Sequence, residues 1–313
     1  MTKIWVALGM DLLLGDPYWF PHPVRGIGAY IQWMEKLIRK KVSTSKGEKI
    51  AGIFLLGTTV GLTYGISFFL LKILHQRNAW AYSIGECFLL WTCFAARCLQ
   101  KESMKVYHAL QAKDLKKSRY LLSYIVGRDT ENLSEQEILR ATVETILENT
   151  SDGVIAPLFY MFLGGAPLAL AYKAINTLDS MVGYQNEKYK NLGWASAKVD
   201  DVVNYLPARW TGVLFVLVAF FLRYDGVSSF HIMKRDGKKH ASPNSGYPEA
   251  AGAGALRIQL GGSSQYFGKK IEKPTLGEAH RLLENQDIKR ANKMMYGSLI
   301  LAIACLSVLH HIF

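Results

Sequence analysis

Residues 50–74 read IAGIFLLGTTVGLTYGISFFLLKIL, with one charge, Lys72, close to the end. A helix that crosses a bilayer needs about 20 mostly apolar residues. This stretch supplies them, and Lys72 can extend its stem to the interface. The pattern recurs outward along the chain. Residues 79–99 form a second apolar block carrying Glu86 and Arg97, and 153–174 a third, interrupted by Pro157 and by Gly164-Gly165-Ala166-Pro167. Residues 206–222 are a shorter block and 296–313 close the chain. A soluble core rarely buries four such helices. The expected fold is therefore all-α: a polytopic integral membrane protein with about four to five membrane helices. Re-entrant or amphipathic helices and cytoplasmic loops complete one membrane-embedded domain over 1–313.

Composition agrees with that class. Half of the residues are hydrophobic and only 20% are charged, which excludes a disordered chain. Lys plus Arg number 37 against 25 Asp plus Glu, a net +12. The cations cluster at 36–49, 97–119 and 231–240, beside the apolar blocks. That is the placement of cytoplasmic loops on an anionic membrane surface, not of a nucleic-acid groove. Residues 50–99 then read as a hairpin turning at 75–78. If 206–222 simply spans, the basic 231–240 loop lands opposite the 176–205 segment, so either 153–174 or 206–222 is broken or re-entrant. Cys87, Cys93, Cys98 and Cys305 lack metal or disulfide spacing and read as small buried hydrophobes. The apolar start, 4–14, is interrupted by Asp11 and has no A-x-A site, so it reads as part of the mature fold.

Polar clusters stand at the edges of the apolar blocks. Arg140, Glu144, Glu148 and Asp152 recur every four residues, one ionisable stripe on a helix, with Asn149 beside its end. Ser134-Glu-Gln-Glu137 is a capping box for that helix. Two carboxylates at this spacing suit a Mg²⁺ that keeps waters and grips phosphates, although a solvated helix face accounts for Arg140 and Glu144 equally well. Lys173, Asn176 and Asp179 recur at steps of three, so they fit either a phosphate-and-metal site or a polar helix end. Asp200-Asp201 with Asn204 and Arg209 adds an acidic pair and a guanidinium fork suited to phosphate or carboxylate. In 241–256, Ser245 or Gly246 is positioned to start a helix whose N–H groups favour anions; close packing through Ala and Gly competes with that reading. His22 and Arg25 lie among prolines and aromatics, and Arg128-Asp129 in a turn. Neither a Gly-x-Ser-x-Gly elbow nor an HExxH motif occurs.

Several of these stretches together resemble one family. They are Asp11-Leu-Leu-Leu-Gly-Asp-Pro17, His22-Pro-Val-Arg25, Val126-Gly-Arg-Asp-Thr130, Glu144-Thr-Ile-Leu-Glu-Asn-Thr-Ser-Asp-Gly153 and Ala156-Pro-Leu-Phe-Tyr160. Asn176-Thr-Leu-Asp-Ser-Met-Val-Gly-Tyr184, Asp200-Asp-Val-Val-Asn-Tyr-Leu-Pro-Ala-Arg209 and Ser242-Pro-Asn-Ser-Gly-Tyr-Pro-Glu249 follow in order. The resemblance is to adenosylcobinamide-phosphate synthase, the CobD/CbiB proteins of cobalamin biosynthesis, over nearly the whole chain. It implies a multi-pass enzyme of the cell (inner) membrane with the lipid bilayer around it and no nucleic-acid partner. Such enzymes join aminopropanol phosphate, or aminopropanol, to the corrinoid adenosylcobyric acid, with ATP as activator, giving adenosylcobinamide phosphate. A homo-oligomer, or association with other late cobalamin-pathway enzymes, stays open.

The chemistry assigns candidate roles. A carboxylate is a poor electrophile until phosphorylation or adenylation gives it a leaving group, and stabilising the charge moved from ATP calls for Mg²⁺ and for Arg or Lys. Glu144, Glu148, Asp152, Asp179, Asp200 and Asp201 are candidate metal ligands. Arg25, His22, Arg128, Asn149, Asn176, Asn204, Arg209 and Ser245 are candidate substrate or phosphate contacts. Asp129, Asp152, Asp201 and Lys173 are candidate catalytic groups, with Asp129 or Asp201 taking the proton of the incoming ammonium. The acidic clusters fit a Mg²⁺-dependent membrane prenyl- or phosphotransferase equally well, and a non-catalytic membrane sensor or transporter is the other alternative.

Overall fold

A computed structural model describes residues 1–17, 19–266 and 268–312. The helices in chain order begin with α1 (Thr2–Leu14), α2 (Pro23–Lys41), α3 (Ser45–Arg77) and α4 (Ala79–Trp91). They continue as α5 (Ala96–Gln111), α6 (Leu115–Leu122), α7 (Glu135–Thr150), a π-turn at Ser151–Ile155, and α8 (Ala156–Val182). Then come α9 (Trp194–Val203), α10 (Tyr205–Phe221), α11 (Gly226–Asp236), α12 (Gly246–Leu256) and, last, α13 (Asn285–Ile312). The expected all-α membrane architecture is present, with one addition that the sequence reading lacks: an antiparallel hairpin of β1 (Gln259–Tyr266) and β2 (Lys269–Gly277).

Three stretches are long and apolar enough to cross a membrane: Ser45–Arg77, Glu135–Val182 and Asn285–Ile312. A fourth is the pair Trp194–Val203 and Tyr205–Phe221, counted as one span interrupted at Asn204. This lies at the lower end of the expected four to five. The shortfall falls on 79–99, which breaks at residues 92–95 into α4 and α5. The 13 residues of α4 rise only about 20 Å, short of a hydrocarbon core. Its Glu86 is neutralised by Lys3 at 2.5 Å. α3 leaves most of its apolar surface outward, with Ile50, Phe54, Ile66 and Phe69 all exposed, as a lipid-facing helix does.

The third block is broken as expected, and the break is at one of the two marked sites. Within α8, Gly164 and Gly165 leave helical geometry, and Gly165 adopts φ +64°, a region glycine enters without strain. Pro157 does not break the helix. Its ring would collide with an α-helical carbonyl four residues back, at Gly153, and the π-turn at Ser151–Ile155 occupies that turn.

By chain proximity the fold divides into two compact units. The first comprises Met1–Ala95 with Ala156–Asn204, the second Ala96–Ile155 with Tyr205–Phe313. The first unit has its core where α2, α3 and α8 meet: Ile27, Ile31 and Ile38 pack with Leu55, Leu178 and Val182. Pro23 opens α2 with His22 as its cap, the His22 ring accepting the Val24 N–H at 3.3 Å. The second unit buries Ile138, Ile146 and Leu147 of α7, Phe215 of α10, and Met294 and Leu299 of α13. α7 starts with the capping box foreseen at Ser134, both reciprocal bonds to Glu137 being made.

Small residues bring α12 close to its neighbours in the second unit. A Cβ on Gly252 would meet Leu147 Cδ1 at 2.5 Å, and one on Gly254 would meet the Ser228 carbonyl at 2.5 Å. The Ala-Gly-Ala-Gly stretch is therefore used for close packing, the competing reading of that segment.

Candidate functional site

In the second unit, α7 carries Glu144 and Glu148 toward the hairpin and the start of α12. Both oxygens of Glu144 are engaged. Arg128 Nη2 donates to Oε2 at 2.6 Å, and the Gly261 backbone N–H donates to Oε1 at 2.8 Å. The aim of that N–H follows from a local feature: β1 carries a bulge between Leu260 and Gly262, and Gly261 sits at φ +78°. A side chain there would also strike the Pro274 carbonyl at 2.2 Å. Arg140, one turn back, donates to the Ser263 carbonyl at 2.8 Å. The hairpin tip is tied down separately, the Gly268 N–H donating to Asp129 Oδ2 at 2.7 Å and the Asp129 N–H to the Gln265 carbonyl at 2.9 Å.

Glu148 accepts the Ser245 hydroxyl at 2.8 Å. Ser245 is the N-cap residue of α12, and its side chain turns away from that helix to make this bond. Beside it stands a pair absent from the sequence-based candidates, Glu249 and His240. Glu249 Oε1 lies 4.0 Å from His240 Nε2, and His240 Nδ1 accepts the Ser242 N–H at 3.1 Å. With Nδ1 an acceptor, a neutral ring carries its proton on Nε2, the atom facing Glu249. Burial, with the charges of Glu148 and Glu144 nearby, pushes the Glu249 carboxyl well above the usual carboxylate range. Burial also lowers His240 against the pull of Glu148. The arrangement sets a buried carboxyl whose protonated form is favoured beside an imidazole whose acceptor nitrogen, Nδ1, is already taken by the Ser242 N–H.

The remaining candidates of this unit are positioned in other ways. Asp152 lies half-buried in the π-turn that follows α7. Asn149 donates back to the Thr145 carbonyl at 3.0 Å. Arg209 is sandwiched between the rings of Tyr205, 3.4 Å from its guanidinium carbon, and Tyr247, 4.3 Å away. It also donates to Asn244 Oδ1 at 3.1 Å and to the Pro243 carbonyl at 3.2 Å. In this structure its fork holds the 243–244 loop.

The first unit gathers a second acidic group around Asp200. Asn204 donates to Asp200 Oδ2 at 2.9 Å, with Asn176 nearby and the charges of Asp179 and Asp201 bearing on the carboxylate. Asp200 Oδ1 is buried without a hydrogen-bond partner. Tyr172, stacked on Tyr160 at 5.0 Å, donates to Asn204 Oδ1 at 2.8 Å and so orients the amide. Gly183 is required here, since a Cβ would overlap Asp179 Oδ1 at 1.9 Å. Asp201 points more outward, 3.8 Å from Lys198. Lys173 is close enough for its charge to act on buried Cys93. His22 lies 3.5 Å from Asp16, and Arg25 donates to the Pro17 carbonyl at 3.0 Å, both shaping the turn that leads into α2.

The candidate residues thus fall into two clusters, one per unit: Arg128, Asp129, Glu144, Glu148 and Ser245 in the second, and Asn176, Asp179, Asp200, Asp201 and Asn204 in the first. Among the described residues, no three His, Cys, Asp or Glu side chains form a ready metal cage. A Mg²⁺ that keeps its waters and shares phosphates needs only one or two carboxylates, and the orphaned Asp200 oxygen beside Asp179 fits that role. Glu249 and His240 escaped the sequence reading because their meaning depends on burial beside α7. Their signal was the position of both at the ends of the 240–249 stretch.

Residues 4–295 match the family profile described as CobD/Cbib protein. Three relatives bear the name cobalamin biosynthesis protein CobD. That of Clostridium tetani is 49% identical over 95% of this chain and 94% of its own. That of Geobacter metallireducens is 48% identical over 98% and 95%, and that of Klebsiella pneumoniae 46% over 96% and 94%. No solved structure matches the chain. With its helical membrane architecture, its two acidic clusters and these relatives along nearly its full length, the chain belongs to the CobD/CbiB family of cobalamin-biosynthesis proteins.

Proposed function

We propose that the protein is an ATP-dependent amide ligase of the cell (inner) membrane. It joins (R)-1-amino-2-propanol O-2-phosphate, or aminopropanol, to the propionate carboxylate of adenosylcobyric acid, giving adenosylcobinamide phosphate. The observation that carries this reading is family membership over residues 4–295, supported by phosphate- and metal-suited residues in both clusters.

The chemistry runs in two steps. The corrinoid carboxylate attacks ATP and takes either a phosphoryl or an adenylyl group, releasing ADP or diphosphate. The amine then attacks the activated carbonyl, the new C–N bond forms, and phosphate or AMP departs with one proton left over. Mg²⁺ supplies charge neutralisation on the nucleotide when bound. Asp179 and Asp200, with Asp201 on the outer side, are the groups suited to hold it, and Lys173 to pair with a phosphate. Glu144 keeps Arg128 oriented as an anion contact, and Glu148 does the same for Ser245. Asp129 or Asp201 takes the proton lost by the ammonium.

The test is reconstitution of the full chain in detergent with ATP, Mg²⁺, adenosylcobyric acid and aminopropanol phosphate, followed by mass analysis of corrinoid and nucleotide. Amide product with stoichiometric ADP or AMP is the expected result, and the nucleotide identifies the activation mode. Corrinoid left unchanged, with turnover of a lipid diphosphate instead, would transfer the protein to the prenyl- or phosphotransferase class. Asp152→Asn and Asp201→Asn should each lose product while remaining folded; full activity in either removes that residue from the machinery.

A further inference from the structure

A cleft of about 380 Å³ opens in the second unit between α11, α12 and the chain just after β2. Its lining includes Val227, His231, Ile232 and Arg235 of α11, Arg257 at the end of α12, and His280. None of these residues belongs to the acidic clusters. Val227, Ile232 and Ala253 give the cleft an apolar wall, and Arg235 and Arg257 outweigh the one carboxylate in the lining, Glu278, which suits a phosphate attached to an apolar body.

The two arginines differ. Arg235 is committed, its guanidinium bonded to both oxygens of Asp236 and to Glu278. Arg257 is 57% exposed, with a loose contact to Asp225 at 3.9 Å. It is held at φ 56° as the left-handed C-cap of α12. A non-glycine residue in that conformation carries backbone strain, yet here it directs a long cation over the cleft.

The placement of α11 names the occupant. α10 belongs to the fourth candidate span and ends with Phe220 and Phe221 exposed. Only residues 222–225 separate it from α11, and they fold into a turn in which the Tyr224 N–H donates to the Ala219 carbonyl at 2.8 Å, so α11 begins close beside the end of α10. α11 therefore starts at the membrane boundary. Along it Val227, Phe230, His231 and Lys234 are exposed at positions i, i+3, i+4 and i+7, while Ser229, Ile232, Met233 and Asp236 are buried. One face thus presents two apolar side chains followed by cations, and exposed Lys238 extends the charge. This is the pattern of an interfacial helix on an anionic leaflet.

We propose that the α11–α12–β2 cleft is a headgroup site for an anionic phospholipid. Arg257 takes the phosphate with His231 beside it, His280 being engaged by Glu278 at 3.2 Å, and Val227 and Phe230 lie against the first carbons of the acyl chains. The site does not depend on the ligase reading, because no residue in it has a role in that reaction.

The purified full chain in neutral detergent should be titrated with dihexanoyl phosphatidylglycerol, dihexanoyl phosphatidylcholine and inorganic phosphate, reading affinity by calorimetry and unfolding temperature in parallel. The phosphatidylglycerol is expected to bind at least tenfold more tightly than either other probe and to raise the unfolding temperature. Arg257→Asn, which tolerates the left-handed backbone, should weaken that binding about fivefold without lowering the unfolding temperature of the lipid-free protein. Lys234→Gln should weaken it less. Equal binding of the two lipids, or an unchanged affinity in Arg257→Asn, overturns the proposal. Inorganic phosphate binding as tightly as the anionic lipid overturns it too, and reassigns the cleft to a soluble phosphoester.

Discussion

The two acidic clusters solve the same electrostatic problem in opposite ways. In the second unit, Glu144 has a guanidinium on one oxygen and a backbone N–H on the other, while Glu148 has a serine hydroxyl. In the first, Asp200 has the Asn204 amide on one oxygen, the charges of Asp179 and Asp201 bearing on it, and a buried oxygen without a hydrogen bond. A carboxylate satisfied by its own protein holds structure together, whereas one left short of positive charge is suited to receive a cation from outside. The comparison makes Glu144 suited to a framework role and Asp200 suited to the ligand-binding role proposed for it.

Substitutions can break that contrast. The largest effect is expected for Asp200→Asn: removing the charge should lower the proposed amide formation by about 10³-fold or more. The unfolding temperature should hold or rise, since like-charge repulsion is relieved. If stability drops with activity, Asp200 is a framework residue as well, and the contrast fails. Glu144→Gln should behave in the opposite manner. It leaves Arg128, only 9% exposed, without its counter-charge, at about 3 kcal/mol in denaturant unfolding.

Asp236 sharpens the comparison from outside both clusters. Its burial would raise its pKa, but Arg235, Lys239 and the Gly277 N–H outweigh that and hold it far below the usual range. Stability from this network is therefore complete above about pH 4 and lost as pH falls through the depressed native value. Asp236→Asn should cost about 2 kcal/mol at pH 7, less than a fully buried pair because Arg235 and Lys239 are each 47% exposed. The deficit should vanish in acid.

Glu249 has the reverse sign and the smallest effect. Its native pKa lies above the unfolded value of 4.5, so the native state binds more protons and stability declines as pH rises through the window between them. The slope reaches at most about 1.4 kcal/mol per pH unit. His240, lowered from 6.5, instead withdraws stability as pH falls below that value. Glu249→Gln should flatten the alkaline limb of a stability–pH profile and leave the acid limb of His240 in place. An unchanged alkaline limb would show that Glu249 is ionised in the native state.

Much of this was legible from sequence, for identifiable reasons. Membrane spans are recorded in the chain itself, because length and apolarity decide them, and the residue 50–74 block became α3. The Ser134 capping box and the break at Gly164–Gly165 depend on a few neighbouring residues and appeared where expected. Residues 79–99 misled because apolarity does not reveal the break at 92–95, and the hairpin was missed because two glycines at a bulge mark no strand by pattern.

The sequence by itself determined the family, the helical membrane class and most of the candidate residue types, since all of these reside in composition, spacing and contiguous motifs. Only the tertiary structure decided what each charge does. Arg209 and Asp200 belong to one motif, yet Arg209 is held between two tyrosine rings while an oxygen of Asp200 is buried without a hydrogen bond. Glu249, only the last residue of a motif in the sequence, became a buried acid beside His240 and Glu148. Burial and the identity of the neighbours set the energy of a charge, and the order of residues along the chain specifies neither.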